Sequence, residues 1–288
     1  MFIVIGFKAS GCTWLMKVLV YGTKGWIGSQ FVGLLDSYVE GMARVDSVNQ
    51  VREEIVQVMP THVISCIGRM DGVINGVTYS SVEYLEHKGK LVDNVRDNLA
   101  GPMILAKLCE ERRIHFTYIG TGCIFDTDNN HVRIGYTETD NATFFGSSYS
   151  IVKGYTDMLM KLYPVLHLRI HMPITSTPHP HNFLTKLQYP SSLLNSMTVL
   201  PDVLPIIYDL MEKGHVGTLN LTNPGYISSN EIVEMYREIV DPNFTCIETV
   251  GEQSTMLDTS LIETMYCIPT IHESVRAMLY EYKQKIGE

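Results

Sequence analysis

Short apolar runs alternate along the chain with longer segments in which apolar residues recur at helical spacing. The runs are "KVLVYG", "THVISCIG", "HFTYIGTG" and "VLHLRI". Between them, "IGSQFVGLLDSY" sets Ile27, Phe31, Leu34 and Leu35 on one helical face, and "EEIVQVMP" reads as a helix closed by Pro60. "KLVDNVRDNLAGPMILAKLCEERR" is a long amphipathic helix, and "YSIVKGYTDMLMKLY" is another. Strands that are nearly all apolar, alternating with helices, predict an α/β fold. Its centre is a doubly wound parallel sheet covered on both faces.

The texture changes near Met172. "MPITSTPHPHNF" is rich in Pro, His and Thr and has no periodicity, so it reads as a loop of the kind that lines sites. Beyond it the elements shorten. "SSNEIVEMYREIV" is a helix with Ser229 as candidate N-cap, and "SLIETMYCIP" and "IHESVRAMLYEYKQKI" are closing helices. The expected division is an N-terminal extension at 1–15, a nucleotide-binding domain at 16–170, and a smaller, mainly substrate-binding α/β region at 171–288. Residues 1–15 have too short an apolar run to span a membrane and are read as an extension or alternative start.

Composition narrows the class. The formal net charge of -9 argues against a general nucleic-acid binder, which needs clustered Lys and Arg. The 6 cysteines are scattered, with no paired spacing and no histidine at metal-ligand spacing, so a reducing, cytoplasmic setting without a metal is expected. His179 and His181 lie in the Pro-rich loop with no third ligand in view, and are read as loop polarity or substrate contacts.

In "KVLVYGTKGWIGSQF", strand, glycine turn and helix follow in the order that binds a pyrophosphate. Gly22 takes the tight turn, Gly25 lets backbone approach the phosphates, and Gly28 permits close helix packing. Thr23, Lys24, Trp26 and Ile27 lie between and beside them. In the following loop "GMARVDSVNQ", Asp46 is a candidate for a ribose hydroxyl or the adenine side. Arg44 is a candidate for a 2′-phosphate, and hence for NADP; both also read as solvated loop charges.

"YSIVKG" places Tyr149 and Lys153 four apart, on one helical face. A phenol titrates near 10, too high for acid–base work at neutral pH, and a nearby ammonium stabilises its phenolate. The pair therefore suits proton transfer at a carbonyl or alcohol oxygen. It follows a glycine turn and a strand end bearing a hydroxyl, "IGTGCIF".

With these residues the chain resembles the extended short-chain dehydrogenase/reductases, whose glycine turn has this G-x-x-G-x-x-G spacing and whose fold is of Rossmann type. Thr121, Tyr149 and Lys153 match the family's triad. Asn98 matches its helix-bending asparagine, and Cys66, Ile67 and Gly68 match the strand end along the cofactor. Further stretches, "TGCIFD", "HPHNFLTKL", "NSMTVLPDVLPI" and "LNLTNPG", are similar to the bifunctional UDP-4-keto-6-deoxyglucose 3,5-epimerase/4-reductases. They are related also to the dTDP-4-dehydrorhamnose reductases.

The narrower resemblance implies an NADPH-dependent enzyme, with NAD possible, that makes UDP-L-rhamnose. Tyr149 gives a proton to the sugar O4, Thr121 hydrogen-bonds that oxygen, and Lys153 holds the ribose and tunes Tyr149. Cys123 and Lys186 carry the epimerisation, and Gly122 and Asn182 join them as substrate contacts. Cys123 lies two residues beyond Thr121, so along an extended strand both side chains point the same way. Arg169 is either structural or faces the diphosphate. The resemblance further implies a homodimer, a separate 4,6-dehydratase upstream, and no nucleic-acid or membrane partner. Two alternatives remain open at this point: a 4-keto-sugar reductase alone, with Cys123 and Lys186 inert, and a non-catalytic NADP-binding regulatory subunit.

Overall fold

The computed structural model describes residues 16–127, 135–251 and 253–287. The expected extension at 1–15, with Cys12, lies outside the described residues. Six parallel strands form the central sheet: β1 Val18–Tyr21, β2 Val39–Glu40, β3 His62–Ser65, β4 His115–Thr121, β5 Leu166–Ile170 and β6 Gly217–Asn220. Their spatial order is β6-β5-β4-β3-β1-β2. The chain runs from β1 outward to β2, then returns to place β3 on the other side of β1. That reversal is the topological switch point at which open α/β sheets bind ligands, beyond the carboxyl ends of the strands.

Alternation along β1 divides the core. Val18 and Val20 pack with Phe31, Ile64, Leu166 and Leu204 on one face, whereas Leu19 and Tyr21 pack with Val51, Ile55, Leu105 and Phe116 on the other. Helices α1 Trp26–Val32 and α2 Val48–Val58 follow β1 and β2. The expected long helix is three pieces in one run: α3 Leu91–Val95, a π-helical turn Arg96–Ala100, and α4 Gly101–Arg112. Next come α5 Ser148–Met160 and α6 Leu200–Glu212.

The C-terminal half is less separate than the expected boundary implied. After α6 the chain re-enters the sheet as β6, pairing Asn220 with Arg169 of β5. "GTLN" is too short and too polar to read as a sheet strand from periodicity alone. The remaining helices, α7 Ser229–Ile239, α8 Ser260–Glu263 and α9 Ile271–Gly287, follow. Ile232 and Val233 of α7 pack with Val275 and Leu279 of α9 over Ile174, Leu184 and Met197, a second core beside the sheet. The α7 cap is Ser228, one residue before the expected Ser229. The Ser228 side chain accepts from Glu231 N, and the Glu231 carboxylate accepts from Ser228 N, completing a capping box.

Candidate active site

The glycine turn is built by close approach. Gly22 sits at φ +87, in the left-handed region, and a Cβ there would lie 3.0 Å from the Cys66 carbonyl carbon. A Cβ on Gly28 would fall 2.1 Å from Gly22 O, so only glycine lets α1 begin this near β1. Gly25 is the N-cap of α1 and offers no side-chain cap, which leaves the first N–H groups of the helix free to meet an anion. These features fit a dinucleotide phosphate.

The loop after β2 carries the expected Arg44 and Asp46. Arg44 and Asp46 are joined to each other, Nε to Oδ1 at 3.1 Å and Nη2 to Oδ2 at 2.9 Å, on the exposed loop before α2. The carboxylate at the end of β2 is Glu40, which accepts from Thr23 Oγ1 at 2.8 Å and lies 3.5 Å from Lys24 Nζ. Those contacts hold the Glu40 carboxyl below its ordinary value, the Thr23 hydrogen bond leading. Sequence reading passed over Glu40 because β2 has only two residues and carries no periodic signal.

Beyond β3, burial pushes the Cys66 thiol up to about 12, so it serves as a small apolar side chain. Ile67 N donates to Ser65 Oγ at 3.4 Å. Gly68 leaves room for the Asn98 amide, whose Oδ1 would lie 3.7 Å from a Cβ there. Asn98 itself is fully buried in the π-helical turn. Its Oδ1 accepts from Arg69 N at 2.9 Å, and its Nδ2 donates to Arg69 O at 2.8 Å. Its carbonyl accepts from Thr156 Oγ1 at 2.7 Å. Asn98 therefore clamps the post-β3 loop to α5 rather than facing a cofactor, because both ends of its amide are committed to backbone.

The strand end of β4 and the first turns of α5 meet at one point. Ser147 caps α5, accepting from Ser150 N at 3.0 Å, and Ser150 Oγ donates to Cys123 O at 2.6 Å. This fastening sets Tyr149 over Thr121, whose hydroxyl hydrogen-bonds with the phenol and also accepts from Cys123 N at 3.1 Å. Burial, followed by the neighbouring Cys123, pushes the Tyr149 phenol up, and the Thr121 hydrogen bond works the other way. Lys153 is buried one turn along. Its Nζ donates to Tyr118 Oη at 2.5 Å and lies 4.7 Å from the ring centre. Burial holds Lys153 down at about 8, against the pull of Asp157 and Cys123.

Cys123 has a partner that sequence reading missed. Its Sγ lies 3.4 Å from His171 Nδ1. Burial pushes the thiol up, but His171, Thr121 and Lys153 together outweigh burial and hold it below its ordinary value. Gly122 makes the approach possible: a Cβ there would stand 3.2 Å from His171 Cβ.

Lys186 lies on another segment, a 3₁₀ turn at Phe183–Lys186. Its Nζ donates to Ser80 O at 3.2 Å, and burial holds its ammonium below the ordinary value. It is thus tied to the segment after the hairpin Gly72–Ile74 and Val77–Tyr79, apart from the Thr121–Cys123–Tyr149 group. Asn182 corrects another expectation. It is fully buried, with Nδ2 donating to Thr175 O at 2.7 Å and Thr177 O at 2.8 Å and Oδ1 accepting from Leu184 N at 3.2 Å. It shapes the loop from inside and has no face for a substrate.

Arg169 is structural. Its guanidinium is fully buried and forks onto Asp157 at 2.7 and 2.9 Å, with further donations to Thr137 O and Asp140 O, each at 2.9 Å. The His179 ring stacks on Trp26, centroids 5.3 Å apart and 5° from parallel, so the Pro/His loop rests directly on the glycine turn. No group of side chains that could hold a metal ion occurs among the described residues.

The RmlD substrate binding domain family matches residues 16–150. The chain is 41% identical to the L780 UDP-rhamnose synthase of Acanthamoeba polyphaga mimivirus, whose crystal structure superposes with TM-score 0.87 over 92% of this chain and 99% of that one. The chain belongs to the RmlD-type reductase family. Its members include an Arabidopsis thaliana bifunctional dTDP-4-dehydrorhamnose 3,5-epimerase/reductase, 34% identical over 93% of both chains. The dTDP-4-dehydrorhamnose reductase of Bacillus anthracis, solved with NADP, shares the fold at TM-score 0.75 and 16% identity, covering 92% of this chain and 99% of that one. Membership makes the protein an NAD(P)H-dependent oxidoreductase with a 4-keto reductase role, and the RmlD-type frame accounts for the parallel sheet.

Proposed function

We propose that the protein is a bifunctional 3,5-epimerase and 4-keto reductase that converts UDP-4-keto-6-deoxy-D-glucose to UDP-L-rhamnose. The observation that carries this reading is the convergence of Thr121, Tyr149 and Cys123 at one strand end. A group that polarises a ketone oxygen there stands beside a group able to take a proton from a neighbouring carbon. The carbons flanking the ketone, C3 and C5, are acidic because the electron pair left by a departing proton moves onto O4.

Thr121 and Tyr149 hold O4 by hydrogen bonds and stabilise charge that develops on it, in the enolate and in the later alkoxide. Cys123 removes a proton, and Lys186, whose ammonium burial has made more acidic, returns one from the other side. The nicotinamide supplies a hydride to C4 when bound. Tyr149 gives its phenolic proton to O4, and Lys153 supports the phenolate that remains. On the cofactor, Arg44 favours a 2′-phosphate and Glu40 opposes it. We read the site as one that takes either NADPH or NADH, a weaker preference for NADPH than Arg44 alone implied. A separate 4,6-dehydratase supplies the keto sugar, and the active unit is a homodimer.

The test is turnover of UDP-4-keto-6-deoxyglucose in deuterated water with NADPH, and separately with NADH, followed by NMR. Deuterium at C3 and C5 together with UDP-rhamnose is the expected result. Reduction without exchange would leave only the reductase. The Cys123→Ala variant is expected to lose exchange yet still reduce a pre-epimerised 4-ketorhamnose; normal exchange by that variant would remove Cys123 from the mechanism.

A further inference from the structure

Asn195 lies on the short strand Leu194–Asn195, and its side-chain orientation is decided by two backbone groups. Thr255 N donates to its Oδ1 at 2.8 Å, and its Nδ2 donates to Leu193 O at 3.3 Å. An amide turned the other way would set donor against donor and acceptor against acceptor. The Oδ1 so placed lies 3.4 Å from His171 Nε2. An amide oxygen accepts only, so Nε2 carries the imidazole hydrogen, and in the neutral ring Nδ1 is then a bare acceptor. That bare nitrogen is the atom 3.4 Å from Cys123 Sγ.

The order thiol, imidazole, amide oxygen is the arrangement that activates cysteine in unrelated enzymes. Here it is built from three separate segments. Cys123 follows β4 and His171 follows β5, brought level by the pairing of Thr121 with Ile170 and by the bond from Gly122 N to Ile170 O at 2.8 Å. The backbone that carries the ring is pinned as well, because the His171 main-chain N–H donates to Thr198 Oγ1 at 3.0 Å. His171 is only 5% exposed, which excludes water from competing for its nitrogens.

We propose that Cys123 and His171 form a thiolate–imidazolium pair, with Asn195 fixing the imidazole, and that His171 is the positioning residue that readies Cys123 as base. The substrate half of this proposal rests on the epimerase reading. The Cys123 thiol proton moves from Sγ to His171 Nδ1. The thiolate accepts the proton from C3 or C5, becoming a thiol, while the C–H electron pair passes to O4. Lys186 returns a proton to carbon and is left as the amine. Solvent then takes the proton from Cys123 and restores the one on Lys186, so exchange with water is built into each cycle. The other ionisable groups facing Cys123 are Tyr149 and Lys153 from α5. Tyr149 is neutral in the working range, and Lys153, when charged, reinforces the thiolate.

Thiolate absorbance at 240 nm, read as the wild-type protein minus Cys123→Ser, tests the pair without altering His171. A thiolate signal already present at pH 6.5 is expected; a signal that rises only above about 8.5, the free-thiol value, overturns the proposal. Peptide-resolved iodoacetamide labelling adds the residue assignment. His171→Gln is expected to slow labelling of Cys123 at pH 6.5 by about tenfold or more and to shift its pH midpoint upward. Unchanged labelling in that variant overturns the role of His171. These measurements need no sugar. A thiolate present without deuterium exchange would sink the epimerase reading and leave the pair, whereas exchange without a thiolate would sink the pair alone.

Discussion

Lys153 shows how one side chain couples chemistry to stability. Buried against Tyr118 and held near 8 by that burial, its ammonium is harder to keep in the fold than in the open chain. For a lysine the unfolded value is near 10.4, so between about 8 and 10.4 the unfolded chain binds more protons and folding stability rises with pH. The gap of about 2.4 units corresponds to about 3 kcal/mol, reached fully above pH 10.4 and absent below pH 8. Denaturant titrations of the protein and of Lys153→Met across that range should diverge in this direction; parallel curves would mean that burial does not lower the Lys153 value. The placement of Tyr149 and Lys153 on one helix was legible in the sequence because of their fixed spacing. His171 and Asn195 were not, because their meeting with Cys123 depends on the register of β4 against β5 and on a loop returning to it. Glu40 was missed for a related reason, since its two-residue strand carries no pattern.

At the scale of elements, the β1–α1 unit separates two demands that look alike in sequence. Gly28 is required by packing, with Gly22 O only 2.1 Å from where a Cβ would be. At Gly25 the nearest atom would be Gly22 O at 3.3 Å, a much milder conflict. Gly28→Ala is therefore expected to lower stability by about 1–3 kcal/mol and lose cofactor binding with it. Gly25→Ala should keep most of the stability while weakening the cofactor, as thermal melting and calorimetric titration with NADH would resolve. The π-helical turn at Arg96–Ala100 is the local counterpart. It breaks the regular ladder, and Asn98 inside it ties the β3 loop to α5. The alternation of apolar strands and amphipathic helices disclosed most of the sheet in advance. The π turn, the hairpin and the exact cap of α7 are set by local contacts that carry no apolar period, the cap by the box between Ser228 and Glu231, so periodicity was silent about them.

For the whole molecule, α3 and α5 pack side by side and leave an apolar outer surface. Val92 is 71% exposed and Leu162 76%, with Leu91, Tyr155, Met158 and Leu159 also open. Apolar patches of this kind are uncommon on a lone monomer, and two copies joined through these helices would cover them. Sedimentation is expected to report a dimer, and Val92→Glu with Leu162→Glu a monomer; a monomeric parent protein would refute the arrangement. No helix among the described residues is long and apolar enough to cross a membrane. The return of the chain to the sheet as β6 has one more consequence. Thr121, Cys123, Tyr149 and Lys153 all leave the ribosome before the strand that pairs with β5 has been made. Until residue 220 emerges, β5 is an open edge with unsatisfied N–H and C=O groups, the kind of edge on which other chains can pair. A fragment cut at residue 170 would carry most of the reacting groups and an exposed template for aggregation, so the two halves of this protein have to be made and engineered as one.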